Sequence, residues 1–161
     1  WGYPVPSVVK PLGDHIYSDN YRLEIIPAPG HERDQICLWE KTNGWVFTSD
    51  VYVSTRPVAC RSTDDMWQTL ADLENIRALN PYVLFPAPTH VVYNPAAKLD
   101  ELINYLEEMG GKIEDFYQKG KSVEEITKKM FGKEDTFAEM TQQQFSSLNM
   151  VKSFLKNYLE S

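Results

Sequence analysis

Three side chains with metal-binding chemistry each follow an apolar run of the sequence. His31 follows the residues PAPG, Asp50 follows FTS, and His90 follows FPAPT. Because strands that end at one edge of a sheet can bring distant residues together, these corners could converge on one site. Imidazole nitrogens and carboxylate oxygens are ligands that zinc, iron and manganese accept. The three residues are therefore candidate metal ligands.

Each of these residues also has a simpler interpretation when it is taken alone. A His after Pro-Gly is commonly a turn residue, an Asp at a strand end commonly caps a turn or a helix, and a His in a Pro-rich loop is commonly solvated. The metal-site hypothesis therefore depends on the three corners together and on the elements that would position them.

The composition is that of a soluble globular chain of about one domain. Its 161 residues are 42% hydrophobic and 24% charged, which is enough for a buried core. The formal net charge of −7 argues against nucleic acid as a partner. No apolar stretch approaches the roughly 18 residues of a membrane span, and no signal-peptide pattern opens the chain. Cys37 and Cys60 fit a reduced compartment, so we expect two small core residues in a cytoplasmic protein.

The first part of the sequence predicts a sheet with one helix. Strands are predicted at about 14–18, 21–27, 34–40, 44–49 and 82–86. The pair Asn43-Gly44 between two apolar runs indicates a hairpin. A helix is predicted at about 64–79, with Asp64 as its N-cap and an apolar residue every three to four positions.

After residue 94 the periodicity is helical. Asn94 and Pro95 indicate a helix start, and the pair Gly110-Gly111 predicts a break or kink in that helix. The residues SVEE from Ser122 form a capping-box pattern for a short helix through Met130 that stops at Gly132, and a last helix is predicted at about 141–159. These elements predict an α/β (α+β layered) fold, a single domain over 1–161 with a sheet-rich part (1–94) that carries the ligand corners and a helical part (95–161).

The order of these corners and elements resembles the C-terminal half of the metallo-β-lactamase fold. Members typically show a Pro-Gly-His corner, a Phe-Ser/Thr-Gly-Asp corner and a second Pro-Gly-His corner in this order. The separations here, 19 residues from His31 to Asp50 and 40 residues from Asp50 to His90, suit that family. The residues SVEEI and MFG of the tail are similar to the helical end of many members. The resemblance covers about 14–132.

The resemblance implies a fold, a site and a reaction. The fold would be half of an αββα sandwich, with one mostly antiparallel sheet and helices packed on it. His31 would bind a first metal, Asp50 would bridge two metals, and His90 would bind the second. The metals would be zinc, or iron or manganese, and a metal-bound hydroxide would attack an ester, thioester, lactone or phosphodiester bond.

The sequence also departs from the family pattern. The motif His-x-His-x-Asp-His of the first half is absent, and Ser49, Thr89 and Val91 stand where glycines are usual. Together with a first residue that is Trp1, this predicts the C-terminal half of a longer protein. We expect such a fragment to be inactive alone. It would also leave an apolar sheet face bare, so the expected partner is the N-terminal half of its own fold, or another copy through self-association, unless its own C-terminal helices cover the face.

Two further expectations concern ligands and function. Tyr52 and Arg56 follow the Asp50 corner and are candidates for binding a small-molecule substrate, although a solvated loop is the simpler interpretation. The alternative function is a non-catalytic metallo-β-lactamase-like module that acts in protein interaction or structure. A third possibility is an unrelated α+β domain.

Overall fold

A computed structural model of the protein contains eight strands and six helices in the residues that it describes. It describes residues 10–87, 89–132 and 136–159 together with Pro6 and Val8, so Trp1 lies outside it. The strands are β1 (His15–Tyr17), β2 (Arg22–Pro27), β3 (Ile36–Glu40), β4 (Trp45–Ser49), β5 (Cys60–Arg61), β6 (Val83–Pro86), β7 (Val92–Tyr93) and β8 (Phe145–Ser146). The helices are α1 (Met66–Ala78), α2 (Ala96–Gln118), α3 (Val123–Phe131), α4 (Thr136–Met140), α5 (Ser147–Phe154) and α6 (Lys156–Leu159).

Six strands form one sheet in the order β1-β2-β3-β4-β6-β7. The sheet is mainly antiparallel, as the resemblance implied. Only β4 and β6 are parallel, because α1 lies between them in the chain and carries it back across the sheet. The predicted hairpin joins β3 to β4, and Gly44 adopts a φ of 66° in its turn. The five predicted strands are confirmed. The two-residue strands β5 and β8 pair with each other in a separate small sheet.

One face of the main sheet packs against the helices. The cross-strand neighbours Trp39, Val46, Leu84 and Val92 lie on this face and contact the hydrophobic core. That core also contains Leu73 of α1, Leu99 of α2 and Phe154 of α5, together with the buried, free residues Cys37 and Cys60. The C-terminal helices therefore cover this face.

The opposite face, which we call the outer face, is also apolar. Ile25, Leu38, Phe47 and Phe85 are successive cross-strand neighbours on it. The Phe47 and Phe85 rings stack with their centroids 4.7 Å apart, and the Trp45 ring meets the Phe85 ring edge-on at 6.0 Å. None of these residues belongs to the core cluster, and Phe47 is 37% exposed. Among the described residues, the outer face is therefore apolar and lies outside the core, with Phe47 as the most exposed of the five. That this face is bare stays a prediction.

The start of α1 differs by one residue from the predicted one. Asp65 is the N-cap, and its side chain accepts a hydrogen bond from the Gln68 backbone N–H. The prediction that Asp64 caps this helix is wrong, because the Asp64 side chain turns back and accepts a hydrogen bond from the Arg61 backbone N–H at 2.8 Å. This leaves the other Asp64 oxygen available to a different partner.

The long helix α2 continues through both glycines, so the predicted break at Gly110-Gly111 is wrong. It begins at Ala96 with Pro95 as its N-cap, one residue later than predicted. Gly110 is buried where the Trp67 and Phe154 side chains cross α2, and a Cβ atom there would lie only 2.6 Å from the Trp67 ring. The glycine therefore permits close packing at this position.

The last part of the chain contains one confirmed and one wrong prediction. The capping box of α3 is present, with reciprocal hydrogen bonds between Ser122 and Glu125, and Gly132 ends the helix. A single helix over 141–159 is not formed, because residues 141–144 are a turn and β8 pairs with β5 before α5 begins. In the described part of the chain, no helix is long and apolar enough to cross a membrane.

Candidate metal centre

The three ligand corners follow strands that end at the same edge of the sheet. Strands β2 and β4 are both antiparallel to β3, and β6 is parallel to β4. Their carboxyl ends therefore share one edge. The Ala87 backbone N–H donates to the Ser49 carbonyl at 3.1 Å, which holds the ends of β4 and β6 side by side.

His31 and Asp50 come together at this edge. The His31 Nε2 atom lies 3.7 Å from Asp50 Oδ2, and His31 Nδ1 lies 3.1 Å from Asp64 Oδ1. The His31 side chain is 13% exposed and the Asp64 side chain 7%, whereas the Asp50 side chain is 41% exposed. One nitrogen of the imidazole thus points at a buried carboxylate and the other at an accessible one.

Asp64 is the site residue that sequence reasoning missed. Its Oδ1 atom is buried and, apart from the close contact with the imidazole, has no hydrogen-bond partner among the described residues. Burial raises the pKa of Asp64, although the Arg61 backbone N–H and His31 act in the opposite direction. The available signal was the pair Asp64-Asp65, since a helix N-cap requires only one carboxylate.

The corner before His31 is fixed against the first turns of α1. The Gly30 backbone N–H donates to the buried Asp72 carboxylate at 2.8 Å, and the Asp65 backbone N–H donates to the Gly30 carbonyl at 2.7 Å. Gly30 lies so close to the Thr69 backbone that a Cβ atom would come within 2.3 Å of its nitrogen. The sequence motif Pro-Gly-His therefore has a steric reason for its glycine: the backbone carrying His31 packs directly on the helix.

The corner before Asp50 has a backbone conformation that glycine prefers. Ser49 has a φ of 47°, in the left-handed region that L side chains rarely adopt. The register of β4 and β6 shifts between Phe47 and Ser49, so the strand is irregular where the chain turns towards Asp50. Glycine is usual at this position in the family that the sequence resembles, and the structure supplies the physical reason.

His90 stands apart from the other two candidates. It is exposed and follows the end of β6. Among the described residues, no three His, Cys, Asp or Glu side chains lie close enough together to hold a metal ion. The donor set would fit only part of a metal site: His31 and Asp50 face each other as two candidate ligands, and Asp64 stands where a carboxylate typically orients a metal-binding imidazole.

A cavity of about 400 Å³ opens beside these residues. His31, Asp50 and Asp64 line it together with Arg56 and with apolar side chains of the loop 51–60 and of α1 and α2. Arg56 is also paired with Glu101, Nε to Oε1 at 3.0 Å. Tyr52 is buried in the core and is not among the residues that line the cavity. Of the two candidate substrate-binding residues, the structure thus places Arg56 at the cavity.

Solved structures identify this fold. A metallo-beta-lactamase family protein from Thermus thermophilus superposes on 96% of this chain and 50% of its own, with a TM-score of 0.72 and 14% sequence identity. A beta-lactamase domain protein from Burkholderia ambifaria superposes on 96% of this chain and 49% of its own, with a TM-score of 0.70 and 15% sequence identity. A stereoselective inverting sec-alkylsulfatase from Pseudomonas sp. superposes on 92% of this chain and 26% of its own, with a TM-score of 0.65 and 12% sequence identity.

The likeness is one of fold. No protein-family model and no curated protein matches the sequence. The chain spans about half the length of the first two solved structures. It has the metallo-β-lactamase fold over nearly all of its own length, and about half of each of those two structures has no counterpart in it.

Proposed function

We propose that this chain is the C-terminal half of a metal-dependent hydrolase and contributes His31, Asp50 and His90 to a metal centre completed by the other half of the fold. The observation that carries the proposal is the arrangement around His31. Its Nε2 atom faces the accessible Asp50 carboxylate, while its Nδ1 atom faces the buried Asp64 carboxylate. Metal-binding imidazoles are oriented in this way by a carboxylate on the far nitrogen.

The residues of this chain would have distinct roles in that centre. A bound zinc, iron or manganese ion would supply a water of lowered pKa and polarise the carbonyl or phosphoryl oxygen of an ester, thioester, lactone or phosphodiester. His31 and Asp50 would hold the metal, and Asp64 would keep the imidazole in the tautomer that leaves Nε2 free to bind. His90 would add a ligand once the corner after β6 is held by the rest of the fold.

The experiment that tests this proposal is a zinc titration of the chain by calorimetry. We expect weak binding of one Zn²⁺, because two protein ligands are fewer than the three that a catalytic zinc usually has. His31→Ala and Asp50→Ala should each weaken it by more than about tenfold, since even the loss of an outer-shell partner of a metal ligand costs 10–100-fold.

Matched controls separate ligand loss from general damage. His15→Ala removes a histidine of β1 whose ring contacts Arg22, and Asp19→Ala removes an exposed carboxylate of the turn before β2. Neither should change zinc affinity. Zinc binding that survives both His31→Ala and Asp50→Ala would show that the ligand assignment is wrong.

The outer face is, in this proposal, the surface that packs on the missing half. Its residues are apolar and lie outside the core of the described structure, and similar solved structures are about twice as long as this chain. Sheets with apolar faces pack face to face about 10 Å apart. The apolar outer face is also the observation that favours the second candidate function, a non-catalytic interaction module. The zinc titration discriminates between the two functions.

When the chain is alone, we expect the outer face to cause self-association. Sedimentation equilibrium should show a mass above that of the monomer, which rises with concentration. Phe47→Glu places a charge at the centre of the face and should shift the chain towards monomer, whereas Leu159→Glu, at an exposed position of α6, should not. A wild-type chain that stays monomeric at high concentration would refute a bare apolar face.

A further inference from the structure

We infer that the cavity beside His31 binds the acyl chain of a neutral ester or thioester. This names a substrate class for the site of the proposed function and rests on that function for the reaction, while the binding itself does not require a metal. Hydrolysis would break the acyl C–O or C–S bond, with water adding its oxygen to the carbonyl carbon and a proton to the leaving alcohol or thiol.

The size and lining of the cavity suit an apolar chain. Its volume of about 400 Å³ lies in the range of about 300–1,000 Å³ that is typical of small-molecule sites, which are mostly apolar with a few polar groups. Its apolar wall comes from the loop 51–59, the helices α1, α2 and α5, and the strand β8, and includes Val58, Ala59, Met66, Leu73, Leu102 and Met150.

The lining of the cavity favours a neutral ligand. His31 contacts both Asp50 and Asp64, and Arg56 is engaged by Glu101 at 3.0 Å. A free fatty-acid carboxylate would therefore leave water for a mostly apolar wall without a ready cationic partner, whereas burying a neutral ester or thioester there costs far less.

The thiol that lines the cavity does not offer an alternative chemistry. Cys60 is buried, and burial raises the pKa of its thiol, with the nearby Asp64 carboxylate adding to the effect. A buried thiol with a raised pKa is a poor nucleophile. The cavity wall is therefore a binding surface for apolar groups, and the reactive groups are confined to the His31 cluster.

The test is binding of two matched probes, methyl octanoate and octanoate, to the metal-free chain in the presence of a chelator. Methyl octanoate should bind at least tenfold more tightly than octanoate by calorimetry. Ala59→Trp fills the cavity from the loop and should weaken methyl octanoate binding by at least tenfold. Ala78→Trp, at an exposed position near the end of α1, is the matched control and should leave it unchanged.

A second measurement needs no substitution and covers the case in which Ala59→Trp does not fold. With methyl-¹³C methionine, methyl octanoate should shift the resonances of Met66 and Met150, which line the cavity, and not that of Met140, which is 76% exposed. Equal affinity for the two probes, or shifts that spare Met66 and Met150, would overturn the inference.

The outcome also separates this inference from the proposed function. Zinc affinity and methyl octanoate binding are measured separately, the second on the metal-free chain, so either expectation can fail without the other. A chain that binds zinc through His31 and Asp50 but does not bind methyl octanoate would overturn the acyl-chain inference alone. A chain that binds methyl octanoate but loses no zinc affinity on His31→Ala would overturn the metal-site proposal alone.

Discussion

Gly30→Ala is expected to destabilise the fold by about 3 kcal/mol, at the upper end of the cost of overpacking a well-packed site. The added Cβ atom would lie 2.3 Å from the Thr69 backbone nitrogen and 2.5 Å from its Cα. These are backbone atoms of the first turns of α1 and cannot rotate away as a side chain can. The hydrogen bonds that join Gly30 to Asp72 and Asp65 would be strained by the same displacement. Urea denaturation gives the change in the free energy of unfolding.

The control for this substitution is Gly13→Ala. A Cβ atom at Gly13 meets nothing within 4 Å, so we expect a change of no more than about 0.5 kcal/mol there, as at ordinary surface positions. Gly30→Ala should also weaken zinc binding, because the displaced backbone carries His31. If Gly30→Ala and Gly13→Ala have equal effects on stability, the close packing of the Pro-Gly-His corner on α1 is wrong.

Gly110→Ala and Gly111→Ala, two neighbours in α2, are expected to change stability in opposite directions. Alanine is favoured over glycine in a helix by about 1 kcal/mol, and this gain applies at both positions. At Gly111 nothing lies within 4 Å of a new Cβ atom, so Gly111→Ala should stabilise the fold by up to about 1 kcal/mol. At Gly110 the Cβ atom would lie 2.6 Å from the Trp67 ring and 2.9 Å from the Phe154 ring, so overpacking should outweigh the gain by about 2 kcal/mol.

This pair of variants measures tertiary packing directly, because helix propensity is the same for both. Thermal unfolding followed by circular dichroism is sufficient, and the sign of each shift in Tm is the result. A stabilising effect at both positions would mean that α2 does not pack closely against Trp67 and Phe154, and that Gly110 has only a local role.

The sequence predicted elements whose cause is local. The strands follow from runs of β-branched and aromatic residues between turn signals, and the β3–β4 turn follows from the positive φ that Gly44 readily adopts. The start of α3 follows from side chains three residues apart that cap each other's backbone groups. Each of these signals is complete within a few residues of the chain.

The predictions from sequence are wrong where the cause of a structure is a distant residue. The pair Gly110-Gly111 predicts a break or kink in this helix, but the contact that requires Gly110 comes from Trp67, which lies far earlier in the chain. The turn before α5 was interpreted as helix, but β8 is held by pairing with β5. Local periodicity contains no information about which segment will pack on which, and tertiary contacts override it.

The candidate site also has a part that the sequence predicts and a part that depends on distant contacts. The order of the corners placed His31 and Asp50 at one sheet edge, and the structure brings their side chains to 3.7 Å. The contact between His31 and Asp64 could not be read from order alone, because Asp64 directly precedes the residue that caps α1. The role of His90 remains a prediction that depends on the other half of the fold.

The most direct test of the account is imidazole ¹⁵N NMR of the chain during zinc titration. If His31 binds metal through Nε2 while Asp64 holds Nδ1, then zinc should shift the Nε2 resonance of His31 strongly and leave Nδ1 protonated. The resonances of His15 should not change. Zinc that shifts His31 Nδ1, or that leaves both His31 nitrogens unchanged while it binds elsewhere, would contradict the assignment of this edge of the sheet as half of a metal centre.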